Sequence, residues 1–260
     1  MTAAIDVRYL YVVLFFLLGA LLGGVYTVLI HRVPNQIAIK KMAVFCPNCN
    51  GKLKFVDIIP IFSYLKLRGK CRNCDIKISR QYLLIEVLTA LTFAGLYLHY
   101  GISFALLLNL AFYSMLIVTF VIDLKHMVVS DAVLFMFSPV VLIYLIATDA
   151  SWIDHLLGLA AGFVLFLLIY LLTKWIYKRE AFGFGDVMLS GAVGWFLGLQ
   201  YSILTSILTF LVAFVIIIFL RVIGKSIKKE MEIPFAPFIC TAALISSLFG
   251  RIIIDFYWGI

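Results

Sequence analysis

Charged residues are scarce in this sequence. Only 13% of its 260 residues are Asp, Glu, Lys or Arg, compared with about 25% in an average soluble domain. Hydrophobic residues make up 65% of the chain, and the mean hydropathy is +1.13. So little charge excludes a soluble globular protein, and so much apolar surface excludes an intrinsically disordered one. Five cysteines in a chain of this length are also too few for a secreted disulfide scaffold.

Long uncharged runs are present instead, and they predict an all-α polytopic membrane protein. A transmembrane helix needs about 20 apolar residues, and breaks at 99–101 and 198–200 divide the two longest runs. The result is about eight spans, of which the sixth is the shortest. The apolar runs cover 9–30, 87–122, 132–148, 156–173, 187–220 and 233–250. The first is too long for the apolar core of a signal peptide, so we expect it to be retained as a helix.

Small residues recur four positions apart in two of these spans. Gly19 and Gly23 lie in the first span, and Ser190, Gly194 and Gly198 lie in or at the end of the sixth. Small side chains at this spacing let two helix backbones approach closely. They therefore predict the packing faces of these two helices.

The basic residues are distributed unevenly between the two predicted sides of the membrane. With eight spans, 19 of the 21 lysine and arginine residues fall on one side, and only Arg8 and Arg251 fall on the other. The positive-inside rule then places both termini outside and the polar segment 31–81 in the cytoplasm. This distribution accounts for the net charge of +8 without a nucleic-acid partner, and the lipid bilayer is the expected partner. The chain divides into a first helix (1–30), a cytoplasmic insert (31–81) and a seven-helix membrane domain (82–260).

The cytoplasmic insert carries two C-x2-C pairs. Cys46 and Cys49 form the first pair, and Cys71 and Cys74 form the second. Two such pairs supply the four thiolates of a structural zinc site resembling a zinc ribbon. Two disulfides or unrelated core thiols are the alternatives, but the reducing cytosol argues against disulfides. Since four thiolates leave no open coordination position, the chemistry of the protein should lie elsewhere. Cys240, in the last span, is expected to be a small apolar filler.

Two carboxylates near the apolar core are candidates for that chemistry. Asp123 ends the third span, and Asp186 follows Gly183 and Gly185 in a Gly-x-Gly-Asp motif before the sixth. Acidic residues are costly at such positions, and the topology places both at the cytoplasmic boundary. Two carboxylates held together cannot both ionise easily, so the pair could act as acid and base on a water molecule. The two glycines would let the backbone approach an extended substrate.

Other roles for these aspartates stay open on chemistry alone. An Asp at a helix start is commonly an N-cap, which suits Asp131 and could suit Asp186. Asp123 lies at a helix C-terminus, where the helix dipole disfavours negative charge, so a capping role does not suit it. A proton- or ion-coupled carrier also uses intramembrane carboxylates.

Taken in order, these elements resemble the type IV prepilin peptidases. The resemblance extends over nearly the whole chain and is carried by motifs at matching spacing. These are a Gly-rich turn and basic-x-Pro exit of the first span (23–34), the stretch DIIPIFSYLKLRGKC (57–71) between the two cysteine pairs, IS-x-x-Y-x-x-x-E (78–86), the Gly-x-Gly-Asp motif (183–186) and Pro-Phe-x-Pro-Phe (234–238). The chain departs from the family pattern at Thr27, Ser130 and Met188, none of which alters the two aspartates.

The resemblance implies an aspartic endopeptidase of the bacterial inner membrane. Such an enzyme cuts the short basic leader from type IV prepilins or pseudopilins, with Asp123 and Asp186 as its catalytic residues. Many family members also methylate the new N-terminus with S-adenosylmethionine. That cofactor is implied by the resemblance alone, because no Gly-rich cofactor loop is apparent here. The alternatives are a proton-coupled transporter that uses the Asp pair, and a Gly-x-Gly-Asp peptidase for other membrane precursors.

Overall fold

The computed structural model of the chain describes residues 2–35, 49, 51, 60–178, 182–223 and 234–258. Within these ranges the regular structure is α-helical, with a single antiparallel bridge between Lys70 and Lys77. The helices are α1 (Thr2–Arg32), α2 (Phe62–Lys66), α3 (Arg80–Tyr100), α4 (Phe104–His126), α5 (Asp131–Phe137), α6 (Pro139–Thr148), α7 (Trp152–Tyr177), α8 (Phe184–Leu197), α9 (Leu199–Val222) and α10 (Ala236–Trp258).

Seven helical segments are long and apolar enough to cross a membrane, which confirms the polytopic all-α prediction. They are Val7–Arg32, Arg80–Tyr100, Phe104–His126, Asp131–Thr148, Trp152–Ile176, Leu199–Val222 and Ala236–Tyr257. The sixth predicted span corresponds to α8, which is apolar but has only 14 residues. At about 1.5 Å per residue it extends for about 21 Å, which is shorter than the ~30 Å hydrocarbon core of a bilayer.

Local chemistry explains where several helices begin and end. The side chains of Ser79 and Ser151 accept hydrogen bonds from backbone N–H groups in the first turns of α3 and α7, as N-cap residues do. Pro139 separates α5 from α6, because proline has no N–H with which to continue a helix. Gly198 separates α8 from α9 at a φ of 80°, a conformation that favours glycine. The break predicted at 198–200 is thus confirmed.

The chain forms two compact units, 1–110 and 111–260. In the first unit, α1 packs along α3 at Gly19 and Gly23. A Cβ on Gly19 would lie 2.7 Å from the carbonyl oxygen of Thr89, and one on Gly23 would lie 2.7 Å from the Cα of Glu86. The predicted packing face of the first helix is therefore confirmed. The Glu86 carboxylate also accepts a hydrogen bond from the Ile61 N–H at 2.7 Å, which ties the start of α2 to α3.

In the second unit, α8 packs most closely against α7. A Cβ on Gly194 would collide with the backbone of Gly158, and one on Gly162 would collide with the carbonyl oxygen of Ser190. Ser202 of α9 donates a hydrogen bond to the Gly158 carbonyl at 2.9 Å. The small residues predicted to pack α8 do so, and they fix the position of the helix that carries Asp186.

Candidate active site

Asp123 lies in the last turns of α4 and is only 4% exposed. One of its carboxylate oxygens accepts a hydrogen bond from the backbone N–H of Ala236 at 3.1 Å. Ala236 is the first residue of α10, so the partner of this buried carboxylate is a helix N-terminus, whose partial positive charge favours an anion. Asp123 is therefore stabilised by a helix other than its own.

Asp186 lies in the first turn of α8 and is 6% exposed. The N-cap of this helix is Gly183, and Asp186 is the third residue inside it, so the alternative in which Asp186 is the N-cap residue is wrong. The N-cap of α5 is likewise Ser130 rather than Asp131, which is exposed. Helix α5 begins at Asp131, one residue earlier than a cap at Asp131 would require, so the capping role expected of Asp131 is wrong. Ser130 occupies the N-cap position, and its side chain makes no capping hydrogen bond.

The two glycines of the motif allow the backbone to pass close to neighbouring groups. A Cβ on Gly185 would lie 2.8 Å from the Cβ of Val129, in the segment between α4 and α5. A Cβ on Gly183 would lie 3.2 Å from the Oδ2 atom of Asp186 itself. A side chain at Gly185 would push α8 away from the segment that follows Asp123, and one at Gly183 would crowd the carboxylate.

The fold brings the two aspartates together although 63 positions separate them in the sequence. Their carboxylates lie close enough to interact electrostatically. The fully buried thiol of Cys240 in α10 lies within electrostatic range of both. Cys240 is buried as a small filler should be, but no sequence pattern indicates that it lies near the aspartates. The site is thus formed by the end of α4 and the starts of α8 and α10.

A cluster of phenylalanines holds the residues directly before α8 and α10. The ring of Phe182, just before Gly183, packs edge-on against that of Phe235, just before Ala236, with centroids 4.9 Å apart. Both rings also contact Phe166, which is fully buried in α7. The starts of α8 and α10 are thereby fixed to a common support. The Pro-Phe-x-Pro-Phe motif marks this segment in the sequence, but it does not predict the hydrogen bond that the segment's backbone donates to Asp123.

Three of the four predicted metal ligands lie together in the first unit. The ligand atoms of Cys49, Cys71 and Cys74 all lie within 4.8 Å of one another, whereas Cys46 lies outside the described residues. The Cys71 N–H donates to the Ile76 carbonyl at 2.9 Å, closing a tight turn that presents Cys71 and Cys74 on one side. Thiolates bound to one zinc ion at about 2.3 Å must lie this close together, so the residues present fit a structural zinc ion.

Two family models and several known proteins are similar to this chain. The family described as "Bacterial Peptidase A24 N-terminal domain" matches residues 17–100, and the "Type IV leader peptidase family" matches residues 110–220. A Bacillus subtilis protein named "Prepilin leader peptidase/N-methyltransferase" is 32% identical over 250 residues, which cover 93% of this chain and 96% of the relative.

Proteins with the same name from other bacteria are also similar. The Vibrio cholerae protein is 29% identical over 92% of this chain and 96% of its own length. The Pseudomonas aeruginosa protein is 29% identical over 90% of this chain and 89% of its own length. No solved structure matches the chain.

Proposed function

Because the chain belongs to the type IV leader peptidase family, we propose that it cleaves the leader peptides of type IV prepilins or pseudopilins, with Asp123 and Asp186 as its catalytic pair. The observation that carries this proposal is that two buried carboxylates from separate helices lie within electrostatic range of each other. An isolated carboxylate in an apolar helix bundle is unfavourable, and a pair of them is more so. A requirement of catalysis explains why such a pair is present.

The chemistry needs only the two carboxyl groups and a water molecule. One carboxylate, ionised, accepts a proton as the water oxygen attacks the carbonyl carbon of the scissile peptide bond. The other carboxyl, protonated, donates a hydrogen bond to the oxygen of that carbonyl as negative charge develops on it. The C–N bond then breaks, and a proton passes to the leaving amine, so that the pair returns to its starting state. The two groups act as one titrating unit.

The location of the site suits a substrate that is partly in the membrane. The aspartates lie at the end of a long apolar helix and at the start of a shorter one. A precursor with a basic leader followed by an apolar helix would present the bond between them at this boundary. We propose that this is the cytoplasmic face of the inner membrane, with both termini outside, as the distribution of basic residues favours.

We further propose that Cys46, Cys49, Cys71 and Cys74 bind one structural zinc ion. The ion would hold the insert 31–81 together as a separate segment between the first helix and the membrane domain 82–260. Four thiolates saturate the metal, so the zinc takes no part in peptide cleavage.

N-methylation of the mature substrate is a second proposed activity. It is supported by the names of the relatives, which join a leader peptidase with an N-methyltransferase. S-adenosylmethionine would be the methyl donor. The carboxylate pair by itself is also compatible with a proton-coupled transporter, but the names of the relatives give no support to that alternative.

Co-expression with a candidate prepilin tests both activities. The pilin would be purified from cells with and without this protein, and its N-terminus read by mass spectrometry. We expect a shortened pilin only in the presence of the protein, with an additional 14 Da, the mass of one methyl group replacing a hydrogen, if methylation follows. An uncut prepilin would contradict the proposed cleavage, and a cut but unmodified one would contradict the methylation alone.

A further inference from the structure

Thr119 is a buried residue of α4, one helical turn before Asp123, and the hydrogen bonding of its side chain is unusual among the described residues. The residue is 1% exposed, and its hydroxyl group has no hydrogen-bond partner among the residues that the structure describes. A buried hydroxyl without a partner is unfavourable and rare in native proteins. Its presence beside the site therefore calls for an explanation.

Threonines in a helix usually satisfy their hydroxyl group by bonding to the backbone of the preceding turn. The other helical threonines whose side chains are described all do so, with distances between 2.7 and 2.8 Å to a carbonyl three or four residues earlier: Thr27, Thr89, Thr92, Thr148, Thr173, Thr205, Thr209 and Thr241. Thr119 is the exception within the described part of the chain. Its hydroxyl is thus available to a partner outside its own helix backbone.

The position of Thr119 identifies that partner. Residues four apart lie on the same face of a helix, and side chains lean toward the N-terminal end. The carboxylate of Asp123 therefore leans over the turn that carries Thr119. On α10, Cys240 lies one turn after Ala236, the donor to Asp123, and its thiol is within electrostatic range of both aspartates. Groups of α10 thus lie near Asp123, which is on the same face of α4 as Thr119.

We propose that Thr119 is a positioning residue of this pair, whose hydroxyl donates a hydrogen bond to a buried water that in turn donates to the Asp123 carboxylate. A buried water needs two or more polar partners, and the hydroxyl and the carboxylate supply them. Together with the Ala236 N–H, the water would give Asp123 two donors and hold its carboxylate in one orientation. The inference rests on the proposed function, because it assigns Thr119 a role in the same cleavage reaction.

Three variants test this role. Thr119→Val removes the hydroxyl but keeps the shape, and Thr119→Ser keeps the hydroxyl but removes the methyl. Thr209→Val is the matched control, because Thr209 is also fully buried in the same unit but donates to the carbonyl of Thr205. The kcat and KM for cleavage of a purified prepilin, and the melting temperature, would be measured for each in detergent.

We expect Thr119→Val to lower kcat by about tenfold or more, because the water would lose a partner and Asp123 would then lose the hydrogen bond that the water donates to its carboxylate. KM should stay within about twofold and the melting temperature should not fall, because the hydroxyl makes no direct hydrogen bond to another described group of the protein. Thr119→Ser should restore most of the kcat, and Thr209→Val should keep the wild-type kcat. A wild-type kcat in Thr119→Val, or an equal loss in Thr119→Ser, would overturn the proposal.

An experimental structure of the wild-type protein provides a test that does not depend on how the variants fold. A water molecule within hydrogen-bond distance of both the Thr119 hydroxyl and the Asp123 carboxylate would support the proposal. A Thr119 hydroxyl bonded to the carbonyl of Met115 would overturn it. If Asp123→Asn is inactive while Thr119→Val is fully active, only this inference fails. If the wild type cuts no prepilin, the proposed function fails and the inference fails with it.

Discussion

At the scale of single residues, Asp123 and Asp186 are buried to a similar extent but held in different ways. Asp123 accepts a hydrogen bond from the start of α10, whereas Asp186 is in the first turn of its own helix, where the dipole favours a negative charge. An amide is nearly the same size as a carboxyl group, so either side chain can be replaced by asparagine without a large change of shape.

We expect Asp123→Asn and Asp186→Asn each to abolish leader cleavage. An amide is close in size to a carboxyl group but cannot accept or pass on a proton, so the acid–base cycle stops. The cleavage rate should fall by a factor of about 10² to 10⁴ or more. The two losses should not add, because either substitution stops the same step. Cleavage of a prepilin by membranes containing each variant, read on gels and by mass spectrometry, is the measurement.

Asp131→Asn is the control for this pair. Asp131 is exposed and Ser130 is the N-cap of its helix, so the variant should retain most of the cleavage activity. Substantial cleavage by either Asp123→Asn or Asp186→Asn would refute the catalytic assignment and revive the transporter hypothesis.

At the scale of helices, the position of α8 depends on contacts between backbones. Gly158 and Gly162 of α7 face Gly194 and Ser190 of α8 with no room for a Cβ between them. Close contact of this kind allows dispersion forces to act along the whole length of the two helices. Since α8 carries Asp186, its separation from α7 would also displace a carboxylate of the proposed catalytic pair.

Gly194→Ala should therefore destabilise the protein and lower cleavage together. The added methyl group would collide with the backbone of Gly158, and overpacking of this kind costs about 1–3 kcal/mol. Gly95→Ala is the matched control, because a Cβ at Gly95 in α3 would have no neighbour within 4 Å. Thermal unfolding in detergent and the cleavage rate would be compared. Equal melting temperatures for the two variants would contradict the role of the close contact.

The segment that carries the cysteine cluster is a second element with its own prediction. We expect about one zinc ion per chain in the purified protein, lost in Cys74→Ser because an incomplete thiolate shell binds zinc more weakly. Cys240→Ala removes a cysteine that is distant in sequence from both cysteine pairs, and it should keep its zinc. Elemental analysis of the three proteins is the measurement. Zinc well below one ion per chain in the wild type, or full zinc in Cys74→Ser, would contradict the site.

At the scale of the whole molecule, the proposed orientation in the membrane rests on the distribution of charge. Seven helical segments have the length and composition of spans, and α8 is an eighth, shorter apolar helix. If α8 carries the chain across the membrane together with the segments at its ends, both termini lie on the same side. The 19 basic residues on the opposite side favour the cytoplasm for the loops between them.

Fusion of alkaline phosphatase to the C-terminus tests this orientation. The enzyme folds only where its disulfides can form, which is outside the cytoplasm. We therefore expect an active fusion at the C-terminus and an inactive one when the same enzyme is inserted near Lys178, after α7. The reverse pattern would mean that the topology is inverted.

The sequence by itself determined the membrane class, most of the helices, the cysteine pairs and the identity of the aspartate motif. These properties depend on composition and on spacing along the chain. The length of the apolar runs and the breaks at 99–101 and 198–200 were sufficient to predict most of the helices. The break at Pro139 within 132–148 was less apparent, because no charge marks it.

Only the tertiary structure decided what surrounds the aspartates. The approach of Asp123 and Asp186, the donor at Ala236, and the positions of Thr119 and Cys240 depend on packing among α4, α8 and α10. Helices in a membrane are apolar on most faces, so hydrophobic periodicity does not indicate which faces meet. That choice is made by close contacts of small residues and by a few buried hydrogen bonds, which join residues far apart in the sequence.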